Sequence, residues 1–116
     1  MSFWVSLTNE AGVPLEVESH QEGGTYVVGG SPEADLNVTY NYSPHYYRHI
    51  DKDEGLRWLD KQKASDTIAQ LEQAVNALKD DVSNDYWEAT EGNARKALVI
   101  LLGWAKQHPD GIWNVD

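Results

Sequence analysis

Apolar positions recur along this chain at two different periods, one in the first third and another in the second half. In Phe3-Trp4-Val5-Ser6-Leu7-Thr8, the side chains of Phe3, Val5 and Leu7 fall on one face at the strand period of two. Asn9-Glu10-Ala11-Gly12 supplies turn chemistry, because Asn and Gly tolerate positive φ. Val13, Leu15 and Val17 resume the alternation with Glu16 and Glu18 pointing out, so the two segments predict a hairpin. Pro14 has no N–H to donate, which sends the second strand to an edge. Thr25-Tyr26-Val27-Val28, bracketed by Gly23-Gly24 and Gly29-Gly30, predicts a further short strand. A last one is expected over Leu36–Ser43. There Leu36, Val38, Tyr40 and Tyr42 point one way and Asn37, Thr39, Asn41 and Ser43 the other.

From Asp53 onward the period lengthens. Leu56, Trp58 and Leu59 mark a short helix within Asp53–Lys61, and Tyr46, Tyr47 and Ile50 before it show no convincing helical pattern. Ser65 or Asp66 can cap a second helix whose stripe is Ile68, Leu71, Val75 and Leu78. Thr90 caps a third, with Ala94, Ala97, Leu98, Leu101, Leu102 and Ala105 on a wide stripe that Val99 and Ile100 extend. Pro109-Asp110-Gly111 stops it, and Ile112, Trp113 and Val115 form a final strand or a packed tail. The expected class is α+β, an N-terminal antiparallel sheet packed against two or three C-terminal helices. Residues 1–116 read as one domain: mainly strands over 1–43, mainly helices over 51–108, tail or strand over 109–116.

Composition narrows the function classes. Nine Lys and Arg stand against nineteen Asp and Glu, a net charge of −10 that ill suits phosphate backbones, so direct nucleic-acid binding is not expected. The imbalance is concentrated. Residues 1–47 carry Glu10, Glu16, Glu18, Glu22, Glu33 and Asp35 and no Lys or Arg at all, so the sheet region is the acidic one. The absence of cysteine removes disulfides, thiol catalysis and Cys-built metal sites. The longest apolar run, Ala97 to Ala105, is far short of the ~20 residues of a membrane span. With no basic, apolar leader at Met1-Ser2-Phe3-Trp4, the expected location is the cytoplasm.

Most chemical signatures fail on spacing. His45 and His49 would share a helix face, but chance His pairs in loops are common, and no metal site is expected. Asp51-Lys52-Asp53-Glu54-Gly55 opens like a calcium loop, yet Leu56 stands where the glycine is required and Gln62 where the last acid is. The paired glycines fit neither dinucleotide nor P-loop spacing, so they read as turns, and no cofactor is expected. The sequons at Asn37 and Asn41 are decoys without a secretory signal. No serine sits in a nucleophile elbow and no carboxylate pair has diagnostic spacing, so the pattern names no catalytic residue and leans against an enzyme.

One segment is chemically unusual. Asn37, Thr39 and Asn41 make a row of amide and hydroxyl groups, and Tyr46, Tyr47 and Arg48 crowd the turn after it. Amides can read a heterocycle's edge, aromatic rings can stack on its face, and an arginine can pair with phosphate. Trp87, in a loop before the third helix, and Asn93, at that helix's N-terminus where free N–H groups can bind an anion, complete the candidate ligand-binding set. The plainer reading makes the tyrosines core residues and leaves the Asn row facing water.

Thr39-Tyr40-Asn41-Tyr42-Ser43, Tyr86-Trp87, Gly92-Asn93-Ala94, the helix from Ala97 to Ala105 and Pro109-Asp110-Gly111 with Trp113 together resemble a group of small uncharacterised bacteriophage and mobile-element proteins. That resemblance implies a phage or prophage setting and assigns no chemistry. The expectation it leaves is a non-enzymatic small binding protein, a phage accessory that sequesters a nucleotide-like host immune signal. Two alternatives stand beside it: an acidic interaction protein that blocks a basic, nucleic-acid-binding surface of a host protein, and a small hydrolase. Partners are thus a nucleotide-like ligand or a basic host protein, with no membrane, and self-association into a homo-oligomer is left open.

Overall fold

The structure is a computed structural model that describes residues 2–20, 31–85 and 87–116. Strand β1 (Ser2–Thr8) lies at the centre of a three-stranded antiparallel sheet, between β4 (Asp35–Thr39) and β5 (Ile112–Val115). The period-two alternation of β1 explains its place. Phe3, Val5 and Leu7 are buried against the helices, and their cross-strand partners Val38, Leu36, Val115 and Trp113 are buried with them. A separate two-stranded sheet pairs β2 (Glu16–His20) with β3 (Ser31–Glu33).

The hairpin expected of residues 3–17 therefore forms only in part. Its turn is present: the Asn9 side chain accepts from the N–H groups of Ala11 and Val13, and Gly12 takes the positive φ of 81° that the reversal needs. Beyond the Thr8–Pro14 bridge and the Leu15 N–H bond to the Leu7 carbonyl, the chain leaves β1, because Pro14 has no donor to extend the ladder. The edge of β1 so released is taken by β4. The expected strand at Thr25–Val28 lies outside the described residues.

A larger correction falls on residues 40–50. The strand expected to run to Ser43 stops at Thr39, whose hydroxyl accepts from the Asn41 N–H and starts a 3-10 turn at Tyr40–Tyr42. Helix α1 (Ser43–His49) follows directly, with Pro44 in its first turn, where a missing N–H costs nothing. Tyr42, Tyr46 and Ile50 are all buried, and the two tyrosine rings meet edge to face at 6.4 Å. Their spacing of four is helical; it coincides with a period-two reading over Tyr40 and Tyr42, which is why alternation misled.

The remaining helices follow the pattern with small shifts. Residues 55–59 form a 3-10 turn, Gly55–Leu59, that buries Leu56 and Leu59. Helix α2 (Ala64–Ala77) begins one residue before Ser65, so neither Ser65 nor Asp66 caps it; Asp66 instead places an acid in the first turn. Helix α3 (Glu91–Gln107) is capped as expected, the Thr90 hydroxyl accepting from the Asn93 N–H at 3.0 Å. Its buried stripe is Ala94, Ala97, Leu98, Leu101, Leu102 and Ala105, but Val99 is 43% exposed and does not extend it. The two long helices pack on each other and on the sheet, and Trp113 of β5 sits between the layers with its indole N–H on the Thr67 hydroxyl.

Candidate functional site

The expected site residues separate into three places. Asn37 and Thr39 lie on β4 on the face turned from the helices, as alternation required; both are buried, and Asn37 donates from Nδ2 to the Ser2 hydroxyl. Asn41, Tyr46, Trp87 and Asn93 meet instead around the start of α3. There Asn41 donates to the Trp87 carbonyl at 2.8 Å, and the buried Tyr46 hydroxyl donates to the Ala94 carbonyl at 3.1 Å. The buried Asn93 accepts from the Ser83 N–H and donates to the carbonyls of Asp85 and Glu88. The side chains of Asn41, Tyr46 and Asn93 are thus occupied in fastening the start of α3 and the segment before it, with His45 bonded to the Ala89 carbonyl as a further clasp, while the Trp87 side chain is exposed. Tyr47 and Arg48 are exposed elsewhere on α1, where the Tyr47 ring lies over Gly55.

The α3 N-terminus, read from sequence as an anion site, already has its acceptors. Thr90 takes the Asn93 N–H, and the Asp81 carboxylate takes the Gly92 N–H at 2.9 Å. Asp81 is thus the anion that the helix end attracts. Its backbone passes so close that a Cβ on Gly92 would come within 2.5 Å of it, which fixes glycine at that position. The His45/His49 pair recruits no third ligand, and no group of three metal-binding side chains occurs among the described residues.

A cleft of about 580 Å³ lies elsewhere, on the sheet face opposite the helices. The β-register builds it in rows. Trp4 is flanked by Asn37 on β4 and by Asp116 just beyond β5, with which it exchanges backbone hydrogen bonds. In the next row Ser6 is flanked by Asp35 and Asn114. Asn114 donates to the Thr8 hydroxyl at 3.0 Å and accepts from the Lys61 ammonium at 3.0 Å. Asp60 closes the side by accepting from the Val115 N–H at 2.9 Å. Trp4, 44% exposed, supplies the aromatic surface, and Gly12 and Pro14 of the turn line the rim.

Lys61 has a φ of 68°, which puts a non-glycine residue in the left-handed region. The conformation is held by its N–H on the Trp113 carbonyl and its side chain on Asn114. Such strain persists only where surroundings enforce it, and it gathers at ligand-contacting places. Chemically the cleft offers a flat ring, hydroxyls, an amide, three carboxylates and one ammonium.

Sequence reasoning passed over Trp4, Ser6, Asn114, Asp60 and Lys61, and Asn37, which it named, is buried beside Trp4 and is not among the lining residues. A signal for Trp4 existed: it is the large aromatic in antiphase to Phe3, Val5 and Leu7, on a strand face where a polar residue would be expected. Comparison with known proteins finds no matching family model, no matching curated protein and no matching solved structure. Geometry alone therefore supports a reading.

Proposed function

We propose that this is a non-enzymatic binding protein that holds a small, flat ligand in the cleft of its open sheet face. The observation that carries the proposal is the half-exposed indole of Trp4, set among hydrogen-bonding side chains instead of apolar ones. A tryptophan on the polar face of a central strand gains little for the core, whereas a ring in a cleft with fixed polar neighbours is what stacking recognition requires. The preceding expectation of a nucleotide-like ligand carries into the proposal only through its base. The ring would stack on Trp4 while Ser6, Thr8 and Asn114 meet its polar edge.

Titration followed by amide NMR tests this, with nucleosides and other small heterocycles as probes. Binding predicts shifts at Trp4, Ser6 and Asn114 that vanish in Trp4→Ala, with the α3 amides unmoved. Shifts confined to the clasp around Asn93, or none at the cleft with any probe, would refute it.

A second reading, an acidic protein docking on a basic surface of a host protein, is favoured by the same cleft's Asp35, Asp60 and Asp116. Charge reversal of these aspartates would then abolish partner binding while Trp4→Ala left it largely intact.

A further inference from the structure

We infer that the cleft selects its ligand by charge and takes flat organic cations, amidinium- or ammonium-bearing rings, in preference to neutral or anionic ones. The inference deepens the small-ligand reading and rests on it. Three carboxylates, those of Asp35, Asp60 and Asp116, line the cleft, against one cation, Lys61. The Lys61 ammonium is turned to the Asn114 amide oxygen, which takes one of its three donors. None of Arg48, Arg57, Arg95 or Lys96, the cations that a phosphate would need, is among the lining residues. Arg57 is engaged elsewhere, stacked 5.3 Å from the Phe3 ring and bonded to the Tyr40 hydroxyl, and Arg95 donates to the Val75 carbonyl.

The aromatic surface agrees with the charges. The face of an indole carries negative potential and is the best of the side-chain rings for a cation. Trp4 presents that surface beside Asp116, so a cationic ring stacked on Trp4 finds carboxylates at its rim. A phosphorylated ligand would meet the same carboxylates as repulsion. Ser6, Thr8 and Asn114 then act as the neutral part of the site, reading position and not charge.

The test uses three compounds of one shape: benzamidine, benzamide and benzoate, titrated into the whole protein and followed at the cleft amides by NMR. The expected order is benzamidine tightest, ahead of benzamide by about fivefold or more, with benzoate weakest. The Asp60→Asn/Asp116→Asn variant keeps an oxygen for the Val115 N–H and should shrink the benzamidine advantage to what the Trp4 face and Asp35 supply. Equal binding of all three compounds, or a cation preference undiminished in that variant, would overturn the charge inference while leaving the cleft as a binding site. Absence of any shift at the cleft amides with all three would overturn both.

Discussion

The indole N–H of Trp113 lies 2.9 Å from the hydroxyl oxygen of Thr67, and both residues are fully buried. The Thr67 hydroxyl in turn donates to the Ala64 carbonyl, so one short chain of hydrogen bonds joins the last strand to the first turn of α2. Thr67→Val keeps the volume and removes the acceptor, leaving a buried donor unpaired. We expect a loss of roughly 1–3 kcal/mol. A chemical-denaturation midpoint unchanged by this substitution would mean that the pair does not hold the two layers together.

The stripe of α3 carries the core. Leu101 is fully buried between the helix and the sheet, so Leu101→Ala should cost about 2–5 kcal/mol. Val99→Ala, two residues earlier on the exposed side of the helix, should change stability by less than about 0.5 kcal/mol. Equal losses at the two positions would show that the helix is rotated from the orientation described.

How far the fold was legible follows from these elements. Strand β1 and helix α3 carry one period each with no competing reading, and both stand where alternation and the stripe put them. Residues 40–50 carried two periods at once, and there the contest was decided by contacts far off in sequence: Tyr46 reaches Ala94, and Asn41 reaches Trp87. The cleft was illegible for a related reason. It is assembled by pairing Ser6 of β1 with Asp35 and Asn114, residues from both ends of the chain, and no local motif records that register. Only the antiphase Trp4 could have pointed to it.

Asn93 offers a sharper separation of structure from binding. Its side chain makes three hydrogen bonds to the loop before α3, and it is buried. Asn93→Ala should therefore destabilise the protein by about 1–3 kcal/mol and speed hydrogen exchange at the Ser83 amide, which loses its acceptor. Binding at the Trp4 cleft should be unaffected at temperatures where the variant is folded. A variant that keeps wild-type stability but loses ligand would return Asn93 to the binding set.

Tyr46→Phe tests the neighbouring clasp more gently. The ring keeps its packing against Tyr42, and only the hydroxyl that donates to the Ala94 carbonyl is lost. Because that carbonyl belongs to the first turn of α3, the expected loss is near the ordinary net value of one hydrogen bond, about 1 kcal/mol. Parallel denaturation of the two proteins decides it; a loss above about 3 kcal/mol would require a role for the hydroxyl beyond this contact.

Lys61 brings strain and charge together at one residue. Its left-handed backbone, at φ 68°, suits glycine better than lysine, so Lys61→Gly relieves a native-state cost of order 1–3 kcal/mol. Against this stands the greater freedom of glycine in the unfolded chain, roughly 0.5–1 kcal/mol, and the lost bond to Asn114. The balance should leave Lys61→Gly as stable as the parent or up to about 1 kcal/mol more so. Its effect on binding should run in the same direction. Removing the one cation among the lining residues deepens the negative potential around Trp4, so a flat cation should bind more tightly and benzoate more weakly. Lys61→Ala, which removes the same charge but keeps a Cβ in the left-handed region, should match the glycine variant in binding and fall below it in stability. If both variants are markedly less stable than the parent and neither alters cation affinity, then the Lys61 conformation is supported by its side chain alone, and the link between strain and the cleft is wrong.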